Sequence, residues 1–70
     1  MNMQQQLGVR IRDLRVKKGW SQEAFADRCG LHRSHMGEIE RGRANMTLAT
    51  LLVVASSLET TASALLKDLS

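Results

Sequence analysis

The sequence predicts an all-α fold of five short helices with a helix-turn-helix at its centre. Apolar residues recur at intervals of three and four along most of the chain, and none of the 70 residues is proline. Ser21 and Thr47 stand just before two of these apolar stretches, where a side-chain oxygen can cap a helix N-terminus. Gly19 and Gly42 stand where helices are expected to end. No stretch suggests a strand.

The first predicted helix runs from Gln4 to Lys18 and stops at Gly19. Its face carries Leu7, Ile11 and Leu14 at positions i, i+4 and i+7, which lie on one side of a helix. We therefore expect these three residues to face the core.

The second predicted helix begins at Ser21, and the third runs from about His32 to Arg41 and ends at Gly42. Gly30 lies between them and can adopt the left-handed conformation of a tight turn. Ala26 is small enough to let the two helices approach closely. The shared core would be filled by Leu31, Met36 and Ile39. This spacing predicts a helix-turn-helix whose second helix protrudes.

The last third of the chain predicts two more helices. Thr47 would cap the fourth, and either Thr60 or Thr61 would open the fifth. The fourth helix is expected to turn Leu48, Leu51, Ala55 and Leu58 inward, and the fifth carries Leu65, Leu66 and Leu69. At this length we expect one domain that spans residues 1–70.

The segment that carries the helix-turn-helix resembles the phage repressor, Cro and XRE-like family of bacterial DNA-binding domains, and the resemblance extends from Leu7 to Leu66. The matching residues are Leu7, Ile11, Leu14, Arg15, Ser21, Gln22, Ala26, Gly30, Ile39, Glu40, Gly42 and Leu51. The resemblance implies the five-helix bundle of lambda repressor-like domains and double-stranded DNA as the partner. The chain departs from the family pattern at His32, where Ser, Thr or Asp usually caps the recognition helix, and at Met46, where proline is common.

The charge distribution agrees with a nucleic-acid partner. Up to Arg43 the chain has nine Lys or Arg against five acidic residues, whereas the remainder has Lys67 against Glu59 and Asp68. A basic front part suits a polyanion, and an apolar back part suits a protein partner. On charge alone, a solvated basic surface would be the simpler explanation.

The third helix would present Arg33, Ser34 and Glu38 to the major groove if Met36 and Ile39 face the core. Arg33 is the best candidate for base readout, because a guanidinium can bridge the O6 and N7 atoms of guanine. Ser34 could contact a base or a phosphate, and Glu38 could accept from cytosine or orient Arg33. Gly37 is expected to leave the helix surface bare beside them and permit close approach to DNA.

Phosphate contacts are expected from helix starts and from the loop after the third helix, because free N–H groups and positive dipole ends attract phosphates. The candidates are Ser21, Gln22, His35, Arg41, Arg43, Asn45 and Thr47. Ser21 and Thr47 could cap their helices and contact phosphate at the same time.

Arg15 and Glu40 match family positions that form a structural ion pair, so the resemblance assigns them to the scaffold. If the pair is buried, loss of one partner would strand a charge and cost roughly 3–5 kcal/mol, whereas an exposed pair would contribute about 1 kcal/mol or less. The sequence leaves both possibilities open.

The back of the molecule carries more apolar residues than one small core needs. Leu52, Val53, Leu66 and Leu69 are left over once the inward-facing residues of the last two helices are assigned. We interpret them as a homodimer interface, and in the family the C-terminal helices often pair about a two-fold axis.

Other classes of protein are disfavoured. No apolar run is long enough to span a membrane, and residues 1–6 do not resemble a signal peptide, which favours a cytoplasmic protein without a membrane partner. Cys29, the single cysteine, is expected to be buried and inert. Cys29, His32 and His35 have ligand-like spacing, but Cys29 should face inward and His35 outward, so no metal is expected. We expect no cofactor, no small-molecule ligand and no enzymatic activity, because no catalytic constellation accompanies the motif.

The sequence therefore predicts a transcriptional regulator that acts as a homodimer on a pseudo-palindromic operator. The segment from Leu31 to Thr47 looks similar to controller proteins of restriction-modification systems. Two alternatives stay open, a phage Cro-like repressor and an antitoxin-like protein-interaction module that also binds DNA.

Overall fold

A computed structural model describes residues 1–69 and confirms the all-α fold. It has five helices and, within those residues, no strand. The helices are α1 (Met3–Lys17), α2 (Gln22–Cys29), α3 (Arg33–Glu40), α4 (Leu48–Ser57) and α5 (Ala62–Leu66). Both α1 and α2 pack against α3, while α4 contacts α2 and α5.

Helix α1 begins one residue earlier than predicted and also ends one residue earlier, at Lys17. Asn2 accepts a hydrogen bond from the backbone N–H of Gln5 at 2.8 Å, and the Gln5 side chain accepts one from the Asn2 backbone at 3.0 Å. This reciprocal capping satisfies two N–H groups that would otherwise lack partners and fixes the start of the helix. Gly19, at φ +77°, follows the end of the helix.

The helix caps that the sequence predicted are present, whereas the cap at Asn2 was not predicted. The side-chain oxygens of Ser21, Thr47 and Thr61 accept backbone hydrogen bonds of 3.0 to 3.1 Å at the starts of α2, α4 and α5. Thr61, rather than Thr60, therefore opens the last helix. Gly30 ends α2 with φ 69°, and the backbone N–H of Leu31 donates to the Ala26 carbonyl at 2.9 Å. The turn has the geometry that its sequence predicted.

The core lies where α1, α2 and α3 meet the second half of α4. Its buried apolar residues are Ile11, Phe25, Ala26, Cys29, Met36, Ile39, Val54, Ala55, Leu58 and Leu65. The prediction that Leu48 faces inward is wrong, since this residue is 69% exposed, and Val54 is fully buried. The buried residues of α4 all lie in its second half, so its first turn extends past the core.

Cys29, the last residue of α2, is buried in the core. Burial raises the pKa of the Cys29 thiol, and a hydrogen bond with Ser57 partly opposes this rise. Cys29 is therefore the buried thiol that the sequence predicted.

Arg10 of α1 donates from Nη1 to the carbonyl oxygens of Leu65 and Lys67 at 2.8 and 2.6 Å, which joins α1 to the end of α5.

None of the helices described is long and apolar enough to cross a membrane.

Candidate DNA-binding interface

Helix α3 has one buried face and one exposed face, as the helix-turn-helix spacing predicted. Met36 and Ile39 are buried in the core, whereas Arg33, Ser34 and His35 are exposed at the start of the helix. Arg33 is the first residue of α3, and its side chain is 70% exposed. The guanidinium is thus available for contact with another molecule.

His32 caps α3 in place of the usual hydroxyl or carboxylate. Its Nδ1 lies 3.5 Å from the backbone N of Ser34 and 2.9 Å from the Ser34 hydroxyl. An imidazole nitrogen can accept a hydrogen bond as a hydroxyl oxygen does. The departure from the family pattern therefore keeps the cap, and it gives the Ser34 hydroxyl a hydrogen-bond partner within the chain.

Glu38 pairs with Arg41 and not with Arg33. The Arg41 Nη2 atom donates to Glu38 Oε1 at 2.8 Å, and this hydrogen bond lowers the pKa of the Glu38 carboxyl. The suggestion that Glu38 orients Arg33 is therefore wrong. The carboxylate beside Arg33 comes from Glu23 of α2, with Oε2 3.3 Å from Arg33 Nη1. Helix periodicity cannot reveal a pair between two helices, so this neighbour could not be predicted from spacing.

Gly37 does not leave the surface bare. A Cβ atom added there would lie 3.1 Å from Arg41 Nη2 and 3.3 Å from Gln22 Oε1. The side chains of Arg41 and Gln22 thus lie across the glycine, and Gly37 itself is buried. The expectation of an open surface at this position is wrong, because Arg41 at the end of α3 and Gln22 on α2 both extend over the glycine.

The Arg15–Glu40 pair is buried beneath this surface. Arg15 donates from Nε and Nη2 to the two carboxylate oxygens of Glu40 at 2.7 and 3.0 Å, with side-chain exposures of 12% and 3%. Arg15 also donates to the Trp20 carbonyl at 2.8 Å, and the Gln22 amide donates to Glu40 Oε1 at 3.1 Å. The pair therefore joins α1, α2 and α3 and holds the start of α2 beside α3.

Two glycines bring α1 against α3 and the loop that follows it. A Cβ atom on Gly8 would overlap the carbonyl oxygen of Glu40, and one on Gly42 would lie 2.6 Å from the Cα of Gln5. Gly42 also has φ +75°. The sequence predicts Gly42 as a helix stop and contains no local signal for either close approach.

The candidate phosphate-binding residues differ in whether their side chains already have hydrogen-bond partners within the chain. Ser21 and Thr47 cap their helices. The Gln22 amide hydrogen-bonds to Glu40, and Asn45 accepts a hydrogen bond from Gln4. The side chains of His35 and Arg43 are exposed and make no hydrogen bond or ion pair within residues 1–69.

The fold does not bring together the side chains of Cys29, His32 and His35, which have ligand-like spacing in the sequence. Cys29 is buried in the core, whereas both histidines are exposed. In the part of the chain that the structure describes, no three His, Cys, Asp or Glu residues are placed to hold a metal ion.

Comparison with known proteins identifies relatives along nearly the whole chain. A family model described as a helix-turn-helix domain matches residues 6–67. Control protein C.SmaI from Serratia marcescens is 38% identical over 66 residues, which cover 94% of this chain and 79% of that protein.

Solved structures of two relatives have the same fold. The restriction-modification controller protein C.AhdI from Aeromonas hydrophila aligns with a TM-score of 0.84 and 41% identity over 87% of this chain and 92% of that one. The master regulator for biofilm formation SinR, in complex with DNA, aligns with a TM-score of 0.82 and 31% identity over 87% of this chain and 98% of that one. The chain thus belongs to the helix-turn-helix domain family and is a DNA-binding transcriptional regulator.

Proposed function

We propose that the protein is a controller of a restriction-modification system that binds a pseudo-palindromic operator as a homodimer, with α3 in the major groove. The exposure of Arg33 at the start of α3, opposite a buried face, is the observation that supports this reading most directly. The similarity to C.SmaI and C.AhdI, which covers most of both chains, supports the controller role.

In this proposal, Arg33 reads a base while Ser34 and Glu38 lie beside it. Ser34 and Glu38 already bond to His32 and Arg41, but the Ser34 hydroxyl oxygen and Glu38 Oε2 can still accept hydrogen bonds from DNA. Phosphates would be contacted by the side chains of His35, Arg41, Arg43 and Asn45 and by the N-termini of α2 and α4. The backbone N–H groups of Gln22 and Glu23 have no partner within residues 1–69, so they are available to an anion at a helix start.

The first prediction separates base readout from phosphate binding. DNA sequences that the wild-type protein binds are selected from a random pool, and the affinity of Arg33→Ala is then measured for the best sequence and for unrelated DNA. We expect the free energy of binding to the selected sequence to become less favourable by about 1–3 kcal/mol, because this DNA contains the guanine that Arg33 reads. The free energy of binding to unrelated DNA should change little.

Arg43→Ala is the matched control, since Arg43 is an exposed arginine in the loop after α3. This change should weaken binding to both DNAs alike and reduce the salt slope by about 0.9 for each phosphate that the protein no longer neutralises. Equal decreases on both DNAs for Arg33→Ala would exclude Arg33 from base readout.

The homodimer is supported by the apolar outer surface of α4 and α5. Leu48, Leu52, Val53 and Leu66 are all exposed, with Leu52 at 51%, and Leu69 is half-buried. Single exposed apolar residues are ordinary, but several on two neighbouring helices are typical of an interaction site. Pairing through this surface would place two reader helices about a two-fold axis, which suits half-sites about one DNA turn apart.

The second prediction tests this interface with one substitution. Leu52→Glu should convert a dimer into a monomer in sedimentation experiments, because it places a charge where apolar surface would be buried. Val16→Glu is a close control, since Val16 on α1 is 52% exposed and Leu52 is 51% exposed. A Leu52→Glu protein that sediments as the wild-type dimer would place the interface elsewhere.

A further inference from the structure

The exposed guanidinium of Arg33 has an acidic neighbour on the preceding helix. Arg33 Nη1 lies 3.3 Å from Glu23 Oε2, and both side chains are mostly exposed, at 70% and 66%. Asp27 lies one helical turn further along α2, and a hollow between α2 and α3 is lined by Glu23, Asp27, Leu31, His32 and Arg33. The Arg33 side chain is therefore directed toward an acidic partner on α2.

We propose that Glu23 is a positioning residue that determines which base Arg33 reads. This inference rests on the proposed role of Arg33 in base readout. The contact uses only one nitrogen of Arg33, Nη1, and no other side-chain partner of Arg33 occurs within residues 1–69. A guanidinium has five N–H donors, so Nε and Nη2 can bridge the O6 and N7 atoms of a guanine while Nη1 stays on the carboxylate.

The need for such a restraint follows from the exposure of Arg33. A long, exposed arginine side chain has many rotamers and can reach more than one base pair, which blurs discrimination. A carboxylate on the neighbouring helix favours the rotamers that keep Nη1 beside it, and these leave Nε and Nη2 for DNA. Because the pair is exposed to solvent, its influence on base choice should be about two- to fivefold.

The position of Glu23 also argues against a direct attractive contact between its carboxylate and DNA. Glu23 lies in the first turn of α2, the helix start proposed to approach a phosphate. A carboxylate there repels the DNA backbone. Removing the charge should therefore strengthen binding to DNA in general, while removing the restraint should weaken discrimination at one base. These two effects can be measured separately.

The experiment compares Glu23→Gln with Asp27→Asn in the full chain. Both variants lose one negative charge from exposed positions of α2 four residues apart, but of these two acidic side chains Glu23 is the one hydrogen-bonded to Arg33. Affinities are measured for the selected operator and for its three substitutions at the base that Arg33→Ala identifies. We expect Glu23→Gln to reduce discrimination at that base by about two- to fivefold and to leave discrimination at other positions unchanged. Asp27→Asn should shift all affinities alike and keep the wild-type ratios.

A second measurement uses the Arg33→Ala background. There Glu23→Gln should have no further effect on base discrimination, because the side chain that it positions is absent. Wild-type discrimination in Glu23→Gln, or equal changes in the two charge variants, would overturn the positioning role while Arg33→Ala still relaxed base choice. Wild-type discrimination in Arg33→Ala would overturn the readout proposal and the positioning role together.

Discussion

Arg15→Met is expected to reduce the free energy of unfolding by about 3–5 kcal/mol. The Glu40 carboxylate has a side-chain exposure of only 3%, and without Arg15 it would keep a single hydrogen bond, from Gln22. A buried charge without its counter-ion is among the most costly defects in a folded protein. A domain of this size has a total stability of about 4–10 kcal/mol, so this one change should remove much of it.

The measurement is equilibrium unfolding in urea, followed by circular dichroism at one protein concentration. Arg33→Met is the matched control, because it breaks an ion pair whose two side chains are 70% and 66% exposed. An exposed pair contributes about 1 kcal/mol or less. If the stabilities of the two variants fell equally, burial would not be the source of the effect at Arg15.

Gly42→Ala is expected to be the second strongly destabilising change, at about 2–5 kcal/mol. One part of this cost arises because Gly42 has φ +75°. In this left-handed conformation a residue with a Cβ atom is destabilised by about 1–2 kcal/mol. The other part arises because the new Cβ would lie 2.6 Å from the Cα of Gln5. That neighbour is helical backbone, which cannot turn aside as a flexible side chain can.

Gly19→Ala separates the two parts. Gly19 has φ +77°, and a Cβ there would meet no atom within 4 Å. The control should therefore show only the cost of the backbone conformation. Thermal unfolding of both variants provides the comparison, and a Gly42→Ala protein as stable as Gly19→Ala would show that α1 moves away from the loop at little cost. Arg43, a proposed phosphate contact, directly follows Gly42 in the loop that packs against α1. A shift between α1 and this loop should therefore also change the affinity for DNA.

Local signals in the sequence predict most of the fold because they act over a few residues. Ser21, Thr47 and Thr61 bond to N–H groups three residues away, and Gly30 adopts a left-handed turn that its own lack of a Cβ permits. Met36 and Ile39 are buried because their spacing places both on one face of a short helix. These features require no knowledge of distant parts of the chain.

Features that depend on two helices meeting were not visible in the sequence. The inward direction of Leu48, predicted from helical spacing, is wrong, because spacing gives the face but not how far the core extends along α4. The covering of Gly37 by Gln22 and Arg41 depends on side chains that reach across from α2 and from the end of α3. The contact between Glu23 and Arg33 likewise requires the angle at which α2 and α3 cross.

Local sequence is enough to specify the helices, the turn at Gly30 and the face of α3 that carries Arg33, since each follows from the conformational preference or spacing of nearby residues. The burial of the Arg15–Glu40 pair and the pairing of Glu23 with Arg33 arise only when the helices pack together. Burial and ion pairing depend on which surfaces of different helices come within a few ångströms of each other, and spacing along one helix does not specify that distance.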